Sequence, residues 1–165
     1  MIDMREMGKY RGKPIDKYDK EKYGEGFVYG GLAVIEQVPC IILPGIEYDE
    51  TAQCEQPVII PVDPETVGEY VGLPDKNGKE IYEGDIIKVK SGWYRSIKEN
   101  QADRFDNGVK GETLWTVEHK TYNAQMGFFT FGIDRRWFRP LTKSRLVNAE
   151  AEIIGNIHDN PELLK

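Results

Sequence analysis

The sequence predicts a mainly β protein with minor helical content, and three observations support that prediction. The segment from Val71 to Val89 contains two turns, Asn77-Gly78 and Gly84-Asp85, followed by an alternating run that starts at Ile86. Short runs of β-branched and aromatic residues recur along the rest of the chain. A glycine in a helix interior costs about 1 kcal/mol and a proline about 3 kcal/mol. The glycines and Pro74 of the segment from Val71 to Val89 therefore argue against a helix there.

The two turns also predict how the second half of the chain begins. Asn77-Gly78 is expected to form a two-residue type I′ turn, because Asn tolerates positive φ values and Gly has no Cβ to clash. Gly84-Asp85 is expected to turn the chain again before the strand at Ile86. Two such turns are typical of entry into a small, strongly curved β-barrel, so we expect a barrel-like C-terminal portion. We assign all four turn residues to folding rather than to chemistry.

The first part of the chain is predicted to contain a charged arm and three strands. The arm covers Tyr10 to Tyr23, where Lys, Asp and Glu alternate around a few aromatic residues, and we expect it to be solvated. Strands are predicted at Phe27–Ile35, Cys40–Leu43 and Pro57–Val62, and the flanking prolines favour an edge position for the third. The polar residues 49–56 are predicted to form a turn.

A short helical turn divides the chain. Asp63-Pro64-Glu65 combines a capping residue, a proline at the first helical position and an acid in the first turn, and Gly68 and Gly72 limit the helix to one or two turns. We therefore expect an N-terminal β segment with its charged arm at residues 1–66 and a barrel-like β domain at residues 67–165. The two parts are expected to pack as one compact unit.

The remaining elements follow from composition. Residues 97–112 are rich in Lys, Asn, Asp and Gly and predict a long exposed loop, and loops of that length are usually functional or disordered. Strands are predicted at Leu114–His119, Met126–Phe131 and Ala151–Ile157. Pro161–Leu164 is predicted to form a last helical turn.

Composition and charge exclude several classes of protein. The chain has 165 residues, of which 39% are hydrophobic and 30% charged, with a net charge of −6. This charge opposes binding dominated by phosphate neutralisation. No apolar run approaches the roughly 20 residues that span a bilayer, and residues 1–10 lack the apolar stretch of a signal peptide, so we expect a cytoplasmic protein without a membrane partner. Cys40 and Cys54 lie apart from each other and are expected to be reduced.

Four segments taken together resemble a known family. They are Tyr10-Arg11-Gly12-Lys13, Phe27-Val28-Tyr29-Gly30, Val71-Gly72-Leu73 through Asp85-Ile86, and Ile154-Gly155-Asn156-Ile157-His158-Asp159-Asn160-Pro161-Glu162-Leu163-Leu164. In these segments and in their order the chain resembles the YopX family of phage and prophage proteins from bacteria. The resemblance implies bent, partly split β-sheets, a phage or prophage origin and a homo-oligomer. It transfers no catalytic residue, because the family has no settled biochemical activity.

The residues themselves indicate no catalytic, cofactor or metal site. His119 and His158 are the two histidines of the chain, and neither belongs to a Ser or Cys nucleophile signature. Gly24-Glu25-Gly26 and Gly30-Gly31 do not extend to a phosphate-binding pattern. Glu118, next to His119, lacks the neighbouring ligands that a zinc site needs. We therefore expect no catalytic residue, no cofactor and no metal, with an uncharacterised enzyme as an open alternative.

Two clusters of aromatic and basic residues are the strongest candidates for binding. Arginine planes and aromatic faces are the groups on which single-stranded nucleic acids stack. These clusters predict a nucleic-acid or partner-binding site at Trp93, Tyr94, Arg95, Arg135, Arg136, Trp137 and Arg139. The competing interpretation is that Trp137 and Phe138 belong partly to the core while the arginines pair with an acidic surface, and the net charge favours it.

The function that these observations favour is that of a phage-derived accessory protein without enzymatic activity. Short strands that end in proline leave sheet edges, and association of subunits is one way to cover them. We therefore expect a binding or regulatory module that acts through homo-oligomerisation. A host or phage protein is a further candidate partner. The alternative is a nucleic-acid-binding module that uses the Arg135–Arg139 cluster.

Overall fold

The computed structural model describes residues 8–51, 53–90, 112–122, 125–132 and 138–165. The strand pairings of these residues are antiparallel and form two sheets, which confirms the mainly β prediction. The chain divides into two units, Met1–Tyr70 and Val71–Lys165, a few residues beyond the predicted boundary at residue 66. The expectation that both parts form one compact unit stays a prediction.

The described residues form strands of three to twelve residues and a few very short helices. The strands are β1 (Tyr10–Gly12), β2 (Val28–Ile35), β3 (Val38–Asp49), β4 (Cys54–Pro61), β5 (Gly68–Pro74), β6 (Glu80–Tyr82), β7 (Asp85–Lys90), β8 (Glu112–Tyr122), β9 (Gln125–Gly132), β10 (Phe138–Pro140) and β11 (Glu152–Asn156). The helices are α1 (Lys17–Tyr23) and α2 (Lys143–Asn148), and two 3-10 turns lie at Pro64–Thr66 and Pro161–Leu164. The predicted loop at residues 97–112 lies outside the described residues, apart from Glu112, where β8 begins.

The first unit is built on strands in the order β4-β3-β2-β1-β5. One face of this sheet carries the core, whose buried members are Val28, Ile41, Ile60 and Val62. Tyr23 of α1 packs partly buried against the same cluster. Asp63 caps the 3-10 turn by accepting a hydrogen bond from the Glu65 amide at 3.0 Å, the arrangement that the sequence indicates.

The N-terminal residues of this unit are more ordered than the sequence indicates. The expectation of a solvated arm from Tyr10 to Tyr23 is wrong for its first residues, because Arg11 and Gly12 are buried in β1 between β2 and β5. The guanidinium of Arg11 stacks on the Phe27 ring at 4.3 Å, which offsets part of the cost of burying its charge. The charged residues that follow form α1, capped by the Asp16 carboxylate.

Strand β2 changes partner at Gly30-Gly31. Its residues up to Gly30 pair with β1, and its residues from Gly31 onward pair with β3. The backbones of β2 and β3 approach each other so closely at this point that a Cβ on Gly30 would lie 2.0 Å from the Ile42 carbonyl oxygen. Gly30 therefore permits a close backbone approach at the point where β2 changes its pairing partner.

The hairpin of β3 and β4 is longer than the sequence indicates. The turn predicted at residues 49–56 is shorter in the structure, because pairing continues to Asp49 opposite Cys54. The register shifts between Ile42 and Ile46, where Gly45 has a φ of 115°. A bulge at a glycine lets the chain resume strand geometry instead of turning, and the β-formers beyond it extend the ladder.

The turn that joins β2 to β3 has the two-residue type I′ form without any glycine. Glu36 and Gln37 have φ values of 50° and 71°, and the flanking residues Ile35 and Val38 pair directly. Positive φ at both central residues matches the twist of the strands. Here the sheet pairing overrides the local preference of both side chains.

The second unit contains a five-stranded sheet in the order β10-β9-β8-β7-β11, and its described strands leave β10 and β11 as open edges. Its core includes Ile81, Ile87, Trp115, Val117 and Leu146, all buried. Strand β6 lies beside β5. The predicted strands at 114–119, 126–131 and 151–157 lie within or across β8, β9 and β11, as the aromatic and β-branched content indicates.

The Asn77-Gly78 turn is wider than predicted. Gly78 has a φ of 83°, but Asn77 does not have a positive φ, so the type I′ assignment is wrong. The Gly78 amide donates to the Asp75 carbonyl at 3.1 Å and the Asp75 amide to the Lys79 carbonyl at 2.8 Å, which closes a three-residue loop with glycine in the last position.

The side chain of Asp75 explains why this wider loop forms. It is 7% exposed, and its carboxylate accepts hydrogen bonds from the amides of Asn77 and Lys79 and, across the unit, from Ile153 in β11. Three amide donors compensate for burying the carboxylate. The loop is thereby attached to β11.

Gly84-Asp85 forms the corner between β6 and β7. Gly84 has a φ of 84°, and its amide donates to the Val117 carbonyl at 2.8 Å while its carbonyl accepts from the Ile157 amide. The buried carboxylate of Asp85 accepts from the Tyr82 amide at 2.8 Å. The Asp85 hydrogen bond closes the turn, and the two Gly84 hydrogen bonds attach it to β8 and to the residue after β11.

We expect Gly30→Ala to destabilise the protein by about 3 kcal/mol, because overpacking of a close contact costs 1–3 kcal/mol or more and the obstacle here is backbone. Urea denaturation measures the loss. Gly26→Ala is the matched control, since a Cβ at Gly26 meets nothing within 4 Å. Equal midpoints for the two variants would contradict the close approach of β2 and β3.

Candidate binding surface

Most of the binding residues that the sequence predicts lie outside the described residues. These are Trp93, Tyr94, Arg95, Arg135, Arg136 and Trp137. Arg139 lies in β10, where it pairs with Thr130 of β9. The aromatic-basic cluster therefore stays a prediction.

The described residues contain an apolar surface that the sequence analysis did not single out. We call it the outer face, and it is the side of β2, β3 and β4 opposite the core of the first unit. The register defines it, because directly paired residues point to the same side of a sheet and alternate residues share a face. Its pairs are Ile35 with Val38, Ile42 with Ile59, and Ile46 with Pro57, and Tyr48 lies two residues beyond Ile46.

Large apolar side chains of the outer face are exposed, although Cys40, which the register places on the same face, is buried. Ile46 is 61% exposed, Tyr48 is 63% and Ile59 is 40%, while their neighbours Ile41 and Ile60 on the inner side are completely buried. Exposed apolar groups scattered singly need no explanation, but neighbouring ones on a single sheet face are typical of an interaction surface. This contrast makes the outer face the candidate binding surface.

The far end of this surface lies on a two-stranded ribbon. We call the described residues from 46 to 57 the hairpin extension. Strand β2 pairs with β3 between Val38 and Ile42, and in the described part of the chain β4 alone pairs with β3 beyond that point. Isolated two-stranded hairpins are marginally stable in water. The hairpin extension therefore depends on additional contacts.

Helix α1 supplies contacts on one side of the hairpin extension. The Lys22 ammonium donates to Glu47 Oε2, and the Tyr23 hydroxyl donates to Glu47 Oε1 at 3.3 Å. The hydrogen bond from Lys22 lowers the pKa of the Glu47 carboxyl, and the same bond raises the pKa of Lys22. Glu47 points away from the outer face, because its neighbours Ile46 and Tyr48 point toward it. The outer side of the extension is left exposed.

The prolines of β4 restrict how another strand could join the sheet at its edge. The Val62 amide donates to the Pro39 carbonyl, so the even-numbered amides of this strand face β3 and the odd-numbered ones face outward. Two of the three outward positions between 57 and 61 are Pro57 and Pro61, which have no N–H. This blunts the edge against strand addition.

The first unit also has an open cleft of about 390 Å³, lined by Lys13, Pro14, Ile15, Lys20, Glu25 and Asp63. Its two lysines and two carboxylates balance, so the lining has no net charge to select an anion or a cation. Asp63 is already engaged in capping the 3-10 turn. The cleft therefore provides a weaker basis for binding than the outer face.

Groups with potential chemistry have structural contacts in the described residues. The His119 ring packs against the Phe128 ring in a tilted arrangement with centroids 4.9 Å apart, and the His119 amide donates to the Glu83 carboxylate. The described residues contain no group of three or more His, Cys, Asp or Glu side chains placed to hold a metal ion.

Within the same residues, no helix is long and apolar enough to cross a membrane. Burial raises the pKa of the Cys40 thiol, while Cys54 is exposed.

The sequence did contain a signal for the outer face. Val58-Ile59-Ile60 and Cys40-Ile41-Ile42 are continuous apolar runs, and such runs indicate strands that are apolar on both faces. Taken alone, the runs predict strands but do not indicate which of the two faces is exposed. The register of β3 and β4 determines which residues of the two runs lie on the outer face.

The fold and this surface define a protein built of antiparallel β-sheets with an exposed apolar sheet face. The chain matches the family model described as YopX protein over residues 42–165, and it belongs to the YopX family. The resemblance drawn from the sequence is thereby confirmed, although the segments at Tyr10 and Phe27 precede the matched range. No curated protein matches the chain.

Among the solved structures that match, protein EF1440 is similar to the chain along its length. Protein EF1440 from Enterococcus faecalis is 18% identical, and the alignment covers 96% of this chain and 97% of that one. The TM-score is 0.46.

The contact between α1 and the hairpin extension can be tested by titration. We expect NMR titration to give Glu47 a pKa below its ordinary value, and Lys22→Gln to raise that pKa because the ammonium donor is lost. A lowered carboxyl pKa stabilises the fold above the unfolded value of about 4.3, and this contribution disappears as the pH falls through the folded pKa. Lys17→Gln, which removes a neighbouring ammonium paired with Glu21, is the control. An identical Glu47 pKa in the wild type and Lys22→Gln would contradict the contact.

Proposed function

We propose that this YopX-family protein is a non-enzymatic binding or regulatory module of phage origin that acts as a homo-oligomer in the cytoplasm of a bacterial host. The observation that supports self-association is the outer face, where Ile46, Tyr48 and Ile59 are exposed on one side of a sheet. Burying a large apolar side chain contributes roughly 1.5–3 kcal/mol. A contact that buries several such side chains can offset the cost of association.

The charge distribution supports a protein partner over a nucleic acid or an anionic membrane. The whole chain has a net charge of −6, and the outer face carries mainly apolar side chains, with Tyr48 and its partner Glu55 at one end. Phosphate-rich partners require Lys and Arg at the contact. Nucleic-acid binding by the Arg135–Arg139 cluster stays an alternative prediction, because it depends on residues outside the described ranges.

Sedimentation velocity tests the proposal directly. The chain has a mass of 18.9 kDa, and we expect a species of at least twice that mass at micromolar concentration. The oligomer should persist in moderate salt, because apolar burial is insensitive to charge screening. A clean monomer across the micromolar range would contradict oligomerisation as the mode of action.

A further inference from the structure

We propose that the outer side of the hairpin extension is the self-association site, and that it packs face to face on the same extension of a second copy. This inference rests on the proposed function and goes beyond it by locating the contact and its geometry. It concerns Ile46, Tyr48 and Pro57 on the ribbon formed by the ends of β3 and β4.

The two sides of the hairpin extension are covered to different extents. On its inner side, Glu47 is held by Lys22 and Tyr23 of α1. On its outer side, Ile46 and Tyr48 are more than 60% exposed. A two-stranded ribbon needs packing on a face to be stable. The outer side is the one where that packing is incomplete.

The prolines of β4 favour contact of a partner with the face of the sheet over contact with its edge. Pro57 and Pro61 occupy two outward-facing positions of β4, so this edge offers Ile59 as its one outward amide between residues 57 and 61. An edge-to-edge contact there would leave partner carbonyls unsatisfied. Packing of one sheet face on another needs no edge hydrogen bonds and is the usual way to bury an apolar sheet face.

A second copy of the chain is the partner that the charges of this surface favour. Two copies that each have a net charge of −6 repel, so their contact is favoured where side chains lack charge, and Ile46 and Tyr48 meet this condition. Glu55, the cross-strand partner of Tyr48, lies at one end of the surface. An antiparallel arrangement across a two-fold axis places the two Glu55 carboxylates at opposite ends and avoids their repulsion. A second copy therefore satisfies both the apolar and the charge requirement.

The test compares three chains by sedimentation over a concentration series. The double variant Ile46→Lys with Tyr48→Lys places two charges on the proposed contact. The matched control is Tyr18→Lys, because Tyr18 is 67% exposed on α1, the helix that contacts the inner side of the hairpin extension through Lys22 and Tyr23. We expect the double variant to weaken self-association by roughly 100-fold or more, as hot-spot substitutions do, and the control to match the wild type.

Each outcome decides between the two proposals. If the wild type is oligomeric and the double variant stays equally oligomeric, the location of the contact is wrong while the proposed function stands. Equal weakening in the double variant and Tyr18→Lys also overturns the location. If the wild type is a monomer, the proposed function fails and this inference fails with it.

Cross-linking provides a second measurement that does not depend on charge substitutions. In a Cys54→Ser background, Ile46→Cys is treated with a bismaleimide long enough to span the roughly 10 Å between stacked sheets. Cys40 is buried, which protects it from reagent. We expect a cross-linked dimer from Ile46→Cys and none from Lys17→Cys, whose side chain is 90% exposed on α1. A dimer from Lys17→Cys alone would overturn the proposed contact.

Discussion

The close approach of β2 and β3 at Gly30 is the constraint on which the first unit depends. The space beside Gly30 is occupied by the Ile42 carbonyl, so a side chain at this position would force the strands apart. Because the backbones of β2 and β3 meet there, β2 can pair with β1 up to Gly30 and with β3 from Gly31 onward. This change of partner joins the buried β1 to the long β3–β4 hairpin within a single layer.

The register that follows determines which side chains are buried. Ile41 and Ile60 point toward the core, and Ile42 and Ile59, one residue away on each strand, point to the outer face. Strands that are apolar on both sides belong in the interior of a protein, yet one side of this hairpin is exposed. The proposed self-association resolves this conflict by giving the second face an apolar partner, with α1 holding the other side of the hairpin extension through Glu47.

The sequence predicted the fold class and most strands because turn residues and β-branched runs act locally. It was less accurate where distant residues decide the structure. Asp75 widens the Asn77-Gly78 turn through amides that include Ile153, and sheet pairing imposes positive φ on Glu36 and Gln37. The outer face could not be derived from the apolar runs alone, since exposure depends on register and on what covers each side. The aromatic-basic cluster stays a prediction of the sequence.

Concentration-dependent amide hydrogen exchange tests the central claim most directly, because it locates a self-contact without any substitution. We expect the amide exchange rate in the hairpin extension to fall as the protein concentration rises, while the exchange rate in β11 of the second unit stays constant. Exchange rates in the extension that are independent of concentration, over a range in which the protein associates, would contradict it.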